Sequence, residues 1–113
     1  MLVVTRHRPA EPAAFVADAE QALRVLAAQP GFRRGELGRS PDDPTAFVLM
    51  LRWADAGSQR RGMGAFEAKV ALAPVMASAD ADSGTFEVLL DAADGTVATI
   101  PSARSADDGG PWR

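Results

Sequence analysis

The chain has 113 residues, 47% of them apolar and 24% charged, an ordinary make-up for a soluble protein with one core. It has no cysteine, which excludes a disulfide framework, a thiolate metal site and a thiol nucleophile, and fits a reducing, cytoplasmic setting. The net charge of −3 argues against general nucleic-acid binding. No apolar run approaches the roughly 20 residues of a membrane span, and the opening MLVVTRHR lacks the layout of a signal peptide.

Charge is uneven along the chain. Residues 1–79 hold ten Arg/Lys against eight Asp/Glu, whereas residues 80–113 hold two against seven. A mildly basic body thus carries an acidic tail. The expected division is a domain over residues 1–90 and an Ala/Asp/Gly-rich tail over 91–113 that can dock on a partner subunit.

The first strand is expected over Leu2 to Arg8, ended by Pro9, which cannot donate to a sheet ladder. Glu11 and Pro12 open a helix running to about Gln29. Phe15, Ala19, Ala22, Leu23 and Leu26 form one apolar stripe of period 3.6. Pro30-Gly31 stops it. A more polar second strand follows over Phe32 to Arg39, and Ser40-Pro41-Asp42-Asp43-Pro44 is a turn cluster.

Thr45 to Trp53 reads as the third strand. It places Phe47, Leu49, Leu51 and Trp53 on one face and Val48, Met50 and Arg52 on the other. Both faces are mostly apolar, which a strand with one wet face does not require. Asp55 to about Met76 reads as an interrupted helix, weakened by Gly57, Gly62 and Gly64. Phe66, Val70 and Ala73 supply a stripe to its second half, and Pro74 suggests a kink or break. Thr85 to Leu90 is the fourth strand. The composition beyond it favours an irregular segment, with Thr96 to Ile100 able to form a short strand.

The order β-α-β-β-α-β predicts an α+β, ferredoxin-like fold. A four-stranded antiparallel sheet would carry both helices on one face, with the first and third strands central. The apolar patch left on the other face, at Val48 and Met50, suggests an interface. Face-to-face pairing of two sheets would cover it, and so would the chain's own tail.

Three pieces, Pro30-Gly31-Phe32, Asp42-Asp43-Pro44 and Trp53 with Asp55, in this order and spacing, resemble the antibiotic biosynthesis monooxygenase family. The resemblance spans residues 1 to about 90. It implies a dimeric α+β barrel, a homodimer through the sheet face, with a pocket between helices and sheet in each subunit. It also implies cofactor-independent oxidation of a small aromatic or quinone-like metabolite. The chain departs from that pattern. Oxygenase members use Asn, Trp and Tyr, and this sequence has neither Asn nor Tyr. Haem-degrading relatives need a histidine in the second helix, and the one histidine here is His7. A ligand-binding or structural dimer without catalysis is the competing expectation.

Candidate site residues follow from chemistry. His7 is the candidate catalytic base, since imidazole titrates near neutrality; a lone histidine at a strand end is more often a surface or hydrogen-bonded structural residue. Trp53 can stack on an aromatic ligand or fill the core. Arg6 and Arg52, with Arg33 and Arg34, can bind an anionic or enolised substrate, or lie solvated. Phe66 is a further substrate-binding candidate. Glu67 and Lys69 read as surface pairs. One histidine and no cysteine give no support to a metal site, Asp42-Asp43 reads better as a turn, and RRGMG lacks the context of a phosphate loop.

Overall fold

A computed structural model describes residues 1–102. Strands β1 (Leu2–His7), β2 (Phe32–Arg39), β3 (Phe47–Trp53) and β4 (Gly84–Phe86) form one antiparallel sheet in the order β2-β3-β1-β4. Helices α1 (Pro12–Ala27), α2 (Ala56–Gly64) and α3 (Phe66–Met76) complete the ferredoxin-like arrangement. The central pair is β1 and β3, as the apolar content of those strands predicts.

The face assignment of β3 holds. Phe47, Leu49, Leu51 and Trp53 are at most 5% exposed, while Met50 is 39% exposed. They meet Val3 from β1 and Phe15, Ala19, Ala22 and Leu26 from α1 in one cluster. Burying each larger side chain contributes about 1.5–3 kcal/mol. Pro12 sits in the first turn of α1, where its missing N–H costs nothing. Gly31, at φ +84°, turns the chain out of that helix into β2.

The second helical region is interrupted as expected: it forms two helices that part at Ala65, whose backbone is extended (φ −62°, ψ 145°). Two finer expectations need correction. Pro74 does not break α3; Pro74 and Val70 are both exposed, so water can satisfy the carbonyl that proline leaves free. The stripe Phe66, Val70, Ala73 faces outward, and Ala68, Leu72 and Val75 are the buried set. α3 is apolar on most sides, and both sets have the same i, i+4, i+7 spacing, so the helical period alone does not choose between them.

The fourth strand is also shorter than expected. It ends at Phe86, and Leu90 instead opens a hairpin of β5 (Leu90–Ala93) and β6 (Thr96–Thr99). Asp94 and Gly95 turn it with φ of 52° and 79°. Two positive φ values mark the turn type that Asp-Gly favours because its twist matches the strands. The short strand expected at Thr96 is β6. Residues 103–113 of the tail lie outside the described residues.

Candidate functional site

The two central strands carry a polar aromatic at each end of their helix-facing side. His7 pairs with Phe47 at one end of β3. Trp53 lies six residues along at the other, about 20 Å away at the usual strand rise. The structure therefore does not bring His7 and Trp53 into one site.

His7 is 2% exposed. Its Nε2 lies 2.7 Å from Thr5 Oγ1 and its Nδ1 3.1 Å from Ser78 Oγ. Ser78 spends its own proton on the Val75 carbonyl, so its oxygen accepts from Nδ1–H. Nε2 is then the acceptor of the Thr5 hydroxyl proton, a tautomer assigned from the network. The ring also packs 4.9 Å from Phe15. Burial pushes its pKa below the ordinary imidazole value, although Asp80 and the Val75 carbonyl pull the other way. His7 is a neutral imidazole with both nitrogens occupied.

Trp53 sits in a tighter setting, built by the motif residues. Gly31 O accepts the Ala54 N–H at 2.8 Å, which ties the turn after α1 to the end of β3. A Cβ on Gly31 would lie 2.3 Å from Ser58 Cβ, so glycine is required there for space as well as for φ. Asp55 and Ser58 form a reciprocal cap on α2, with Ser58 N–H donating to Asp55 at 2.7 Å. This bond, with the Ser58 hydroxyl, holds the Asp55 carboxyl below its usual range. The capped helix lays Gly62 on the indole: a Cβ there would lie 2.3 Å from Trp53 Cη2. Phe32 meets the indole edge-on at 5.1 Å.

One atom in this knot has no partner. Trp53 is 1% exposed, and its Nε1 is a buried donor without an acceptor among the described residues. A group left this way costs about 1–3 kcal/mol and calls for an explanation. Sequence reasoning weighed the ring of Trp53 as a stacking surface and missed its N–H. Gly62 was read only as a weak helix residue, not as the floor under the indole.

The remaining candidates are dispersed. Arg6 and Arg52 lie on the outer face of the sheet, opposite Val48 and Leu2 respectively. Arg6 lines a cavity of about 280 Å³ with Arg8, Arg39 and Asp80. Arg52 shares one of about 400 Å³ with Arg33, Arg34, Trp53, Ala54 and Asp91. Phe66 is 77% exposed and lines an apolar groove between α1 and α3 with Val25, Val70 and Pro74. Glu67 accepts from Gln29 at 3.1 Å rather than pairing with a lysine. Asp43 accepts from Thr45 and Arg8, which lowers its pKa to about 2; it is a turn-former, as expected. Among the described residues no group of three His, Asp or Glu side chains is placed to hold a metal. No helix among them is long and apolar enough to cross a membrane.

No curated protein matches the sequence. Among solved structures, the fold is similar to a point mutant of SnoaB, a cofactor-independent oxygenase from Streptomyces nogalater. That match has 25% identity and a TM-score of 0.70, covering 77% of this chain and 90% of the other. A conserved protein from Methanosarcina mazei Go1 shares the fold at 14% identity and TM-score 0.63, over 74% and 84% of the two chains. Protein SO0527 from Shewanella oneidensis does so at 16% and 0.60, over 71% and 81%. The model of the antibiotic biosynthesis monooxygenase family matches residues 1–69, from β1 to the first turn of α3, which includes the whole Trp53 knot. The chain is a member of the antibiotic biosynthesis monooxygenase family.

Proposed function

We propose that the protein is a cofactor-independent oxygenase acting on a small aromatic or quinone-like metabolite, with Trp53 as the residue that meets the reacting oxygen. The observation that carries this is the unpartnered indole N–H. A preorganised donor in a water-poor setting stabilises negative charge where it develops. An enolised anthrone or a quinol anion carries such a charge on its oxygen. In this chemistry the substrate supplies the electrons itself. An anthrone-type CH₂ and O₂ give a carbonyl and water, so no protein-bound redox group enters the balance. Family membership and the likeness to SnoaB support the same reading.

The proposal assigns no protein base. His7 is neutral but already saturated, and the sequence has no tyrosine. The proton is left to solvent, which suits substrates whose own acidity is high. The saturation of His7 also supports the second reading, a dimer that binds an aromatic ligand without turning it over.

Oxygen uptake with anthrone- and quinol-type substrates separates the two. Wild type should exceed the spontaneous rate, and Trp53→Phe should lose about 10²-fold, the usual effect of removing one such donor. A ligand that binds without uptake would favour the second reading. The reading also carries a homodimer through the outer sheet face, where Met50 and Phe86 are 39% and 51% exposed. Met50→Lys should then convert a dimer to a monomer in sedimentation; a variant that sediments like wild type would remove that face from the interface.

A further inference from the structure

On the outer side of β2 and β3, at the end of the sheet face that the homodimer reading pairs, three arginines crowd into one place. Arg33, Arg34 and Arg52 line a cavity of about 400 Å³ with Trp53, Ala54 and Asp91. Arg34 is the direct cross-strand partner of Arg52, a like-charge pairing that destabilises a sheet. Between Phe32 and Arg34 the register shifts. A bulge of this kind leaves Arg33 without an opposite residue and re-aims its side chain. Two consecutive arginines therefore line one cavity, where regular strand alternation would send them to opposite faces.

The negative charge within reach is less than the positive. Asp91 approaches Arg52 at 3.5 Å, a long ion pair. Arg34 is held by Glu36, which does not line the cavity. With Asp91 facing Arg52 and Glu36 holding Arg34, Arg33 is the guanidinium of the cavity left without an ion pair among the described residues. Arg52 is two-thirds buried at its side chain, so its charge is less screened than that of a surface arginine.

We propose that this cavity binds a small multivalent oxyanion, bearing phosphate or carboxylate groups, gripped by Arg33 and Arg52. Guanidinium forks match both groups with two parallel hydrogen bonds. Asp91, presented by the β5–β6 hairpin, competes for the same arginine. Trp53 also lines this cavity, but the proposal uses only the arginines, so it and the reading of the indole N–H can fail separately.

Calorimetric titration of the full chain tests this, with pyrophosphate and with citrate at low salt. One site per chain is expected, and the tighter probe identifies the phosphate or the carboxylate source. Arg33→Gln with Arg52→Gln should weaken binding about tenfold or more, the loss expected for charge-assisted hydrogen bonds. Asp91→Asn should tighten it severalfold. Arg24→Gln with Arg60→Gln removes the same charge elsewhere and should change binding little. Thermal melts of each variant check folding, and if the Arg33/Arg52 variant does not fold, Asp91→Asn carries the test. No saturable binding of either probe would overturn the proposal. So would an equal loss in the Arg24/Arg60 control, or weaker binding in Asp91→Asn.

Discussion

The two ends of the central strand pair solve the same problem in opposite ways. Each buries a polar aromatic ring on the helix side of the sheet. At the His7 end, Thr5 and Ser78 occupy both ring nitrogens. At the Trp53 end, Gly31, Ser58 and Gly62 bring backbone and ring into close contact, yet the indole N–H has no acceptor among the described residues. A saturated polar group holds a core in one arrangement. An unsaturated one lowers stability and is kept where a ligand makes use of it. On the proposed reading the first end is architecture and the second is the site.

The largest effect that would break this comparison falls on Gly62. Gly62→Ala puts a methyl within 2.4 Å of the indole ring, and the ring or the helix must move. Overpacking of this kind costs about 1–3 kcal/mol, read as a lower urea midpoint. The accompanying change in Trp53 fluorescence would show that the ring is what moves.

Next comes the pH dependence of the His7 end. Burial lowers the folded-state pKa of His7, whereas the unfolded chain titrates near the ordinary value of about 6.5. Below that value the unfolded state binds more protons, so stability falls as pH drops from about 7 to 5. His7→Gln can keep hydrogen bonds to Thr5 and Ser78 but has no such titration. Its stability should lie flat across this window, whereas an unchanged slope would assign the titration to another group.

The smallest change in stability is expected for Trp53→Phe. Lost ring packing is offset in part by removing a desolvated donor, so the net effect should stay within about 1 kcal/mol. The same substitution should have the largest effect on oxygen uptake. On the proposed reading, stability and activity separate at Trp53 because the unpartnered N–H lowers the one and raises the other.

Much of this was legible in the sequence. The alternation in FVLMLRW named the buried face of β3 residue by residue, because strand period leaves only two choices. Pro30-Gly31 and Trp53-Ala54-Asp55 announced a helix stop, a strand end and a cap. What they could not announce is that they meet, since that depends on contacts between residues more than 20 positions apart. The outward turn of Phe66 and Val70 was hidden because α3 carries two apolar sets of the same spacing, and only packing chooses between them. The hairpin at Leu90 was legible and overlooked: Asp94-Gly95 is its turn, outweighed by a composition that favours irregular chain. That Arg6 and Arg52 line different cavities, Phe66 a third groove and His7 the core could not be read, because residue type proposes a chemistry but only register decides who shares a cavity.

The central claim is that the Trp53 N–H is a donor held in reserve for a ligand oxygen. It is tested most directly by following the indole ¹⁵N–¹H resonance of Trp53 while an anthrone-type ligand is added without oxygen. The sequence holds two tryptophans, so a Trp112→Phe variant assigns the signal. The account predicts that this resonance moves downfield and saturates with binding. A ligand that saturates the protein while the Trp53 resonance stays in place would contradict it.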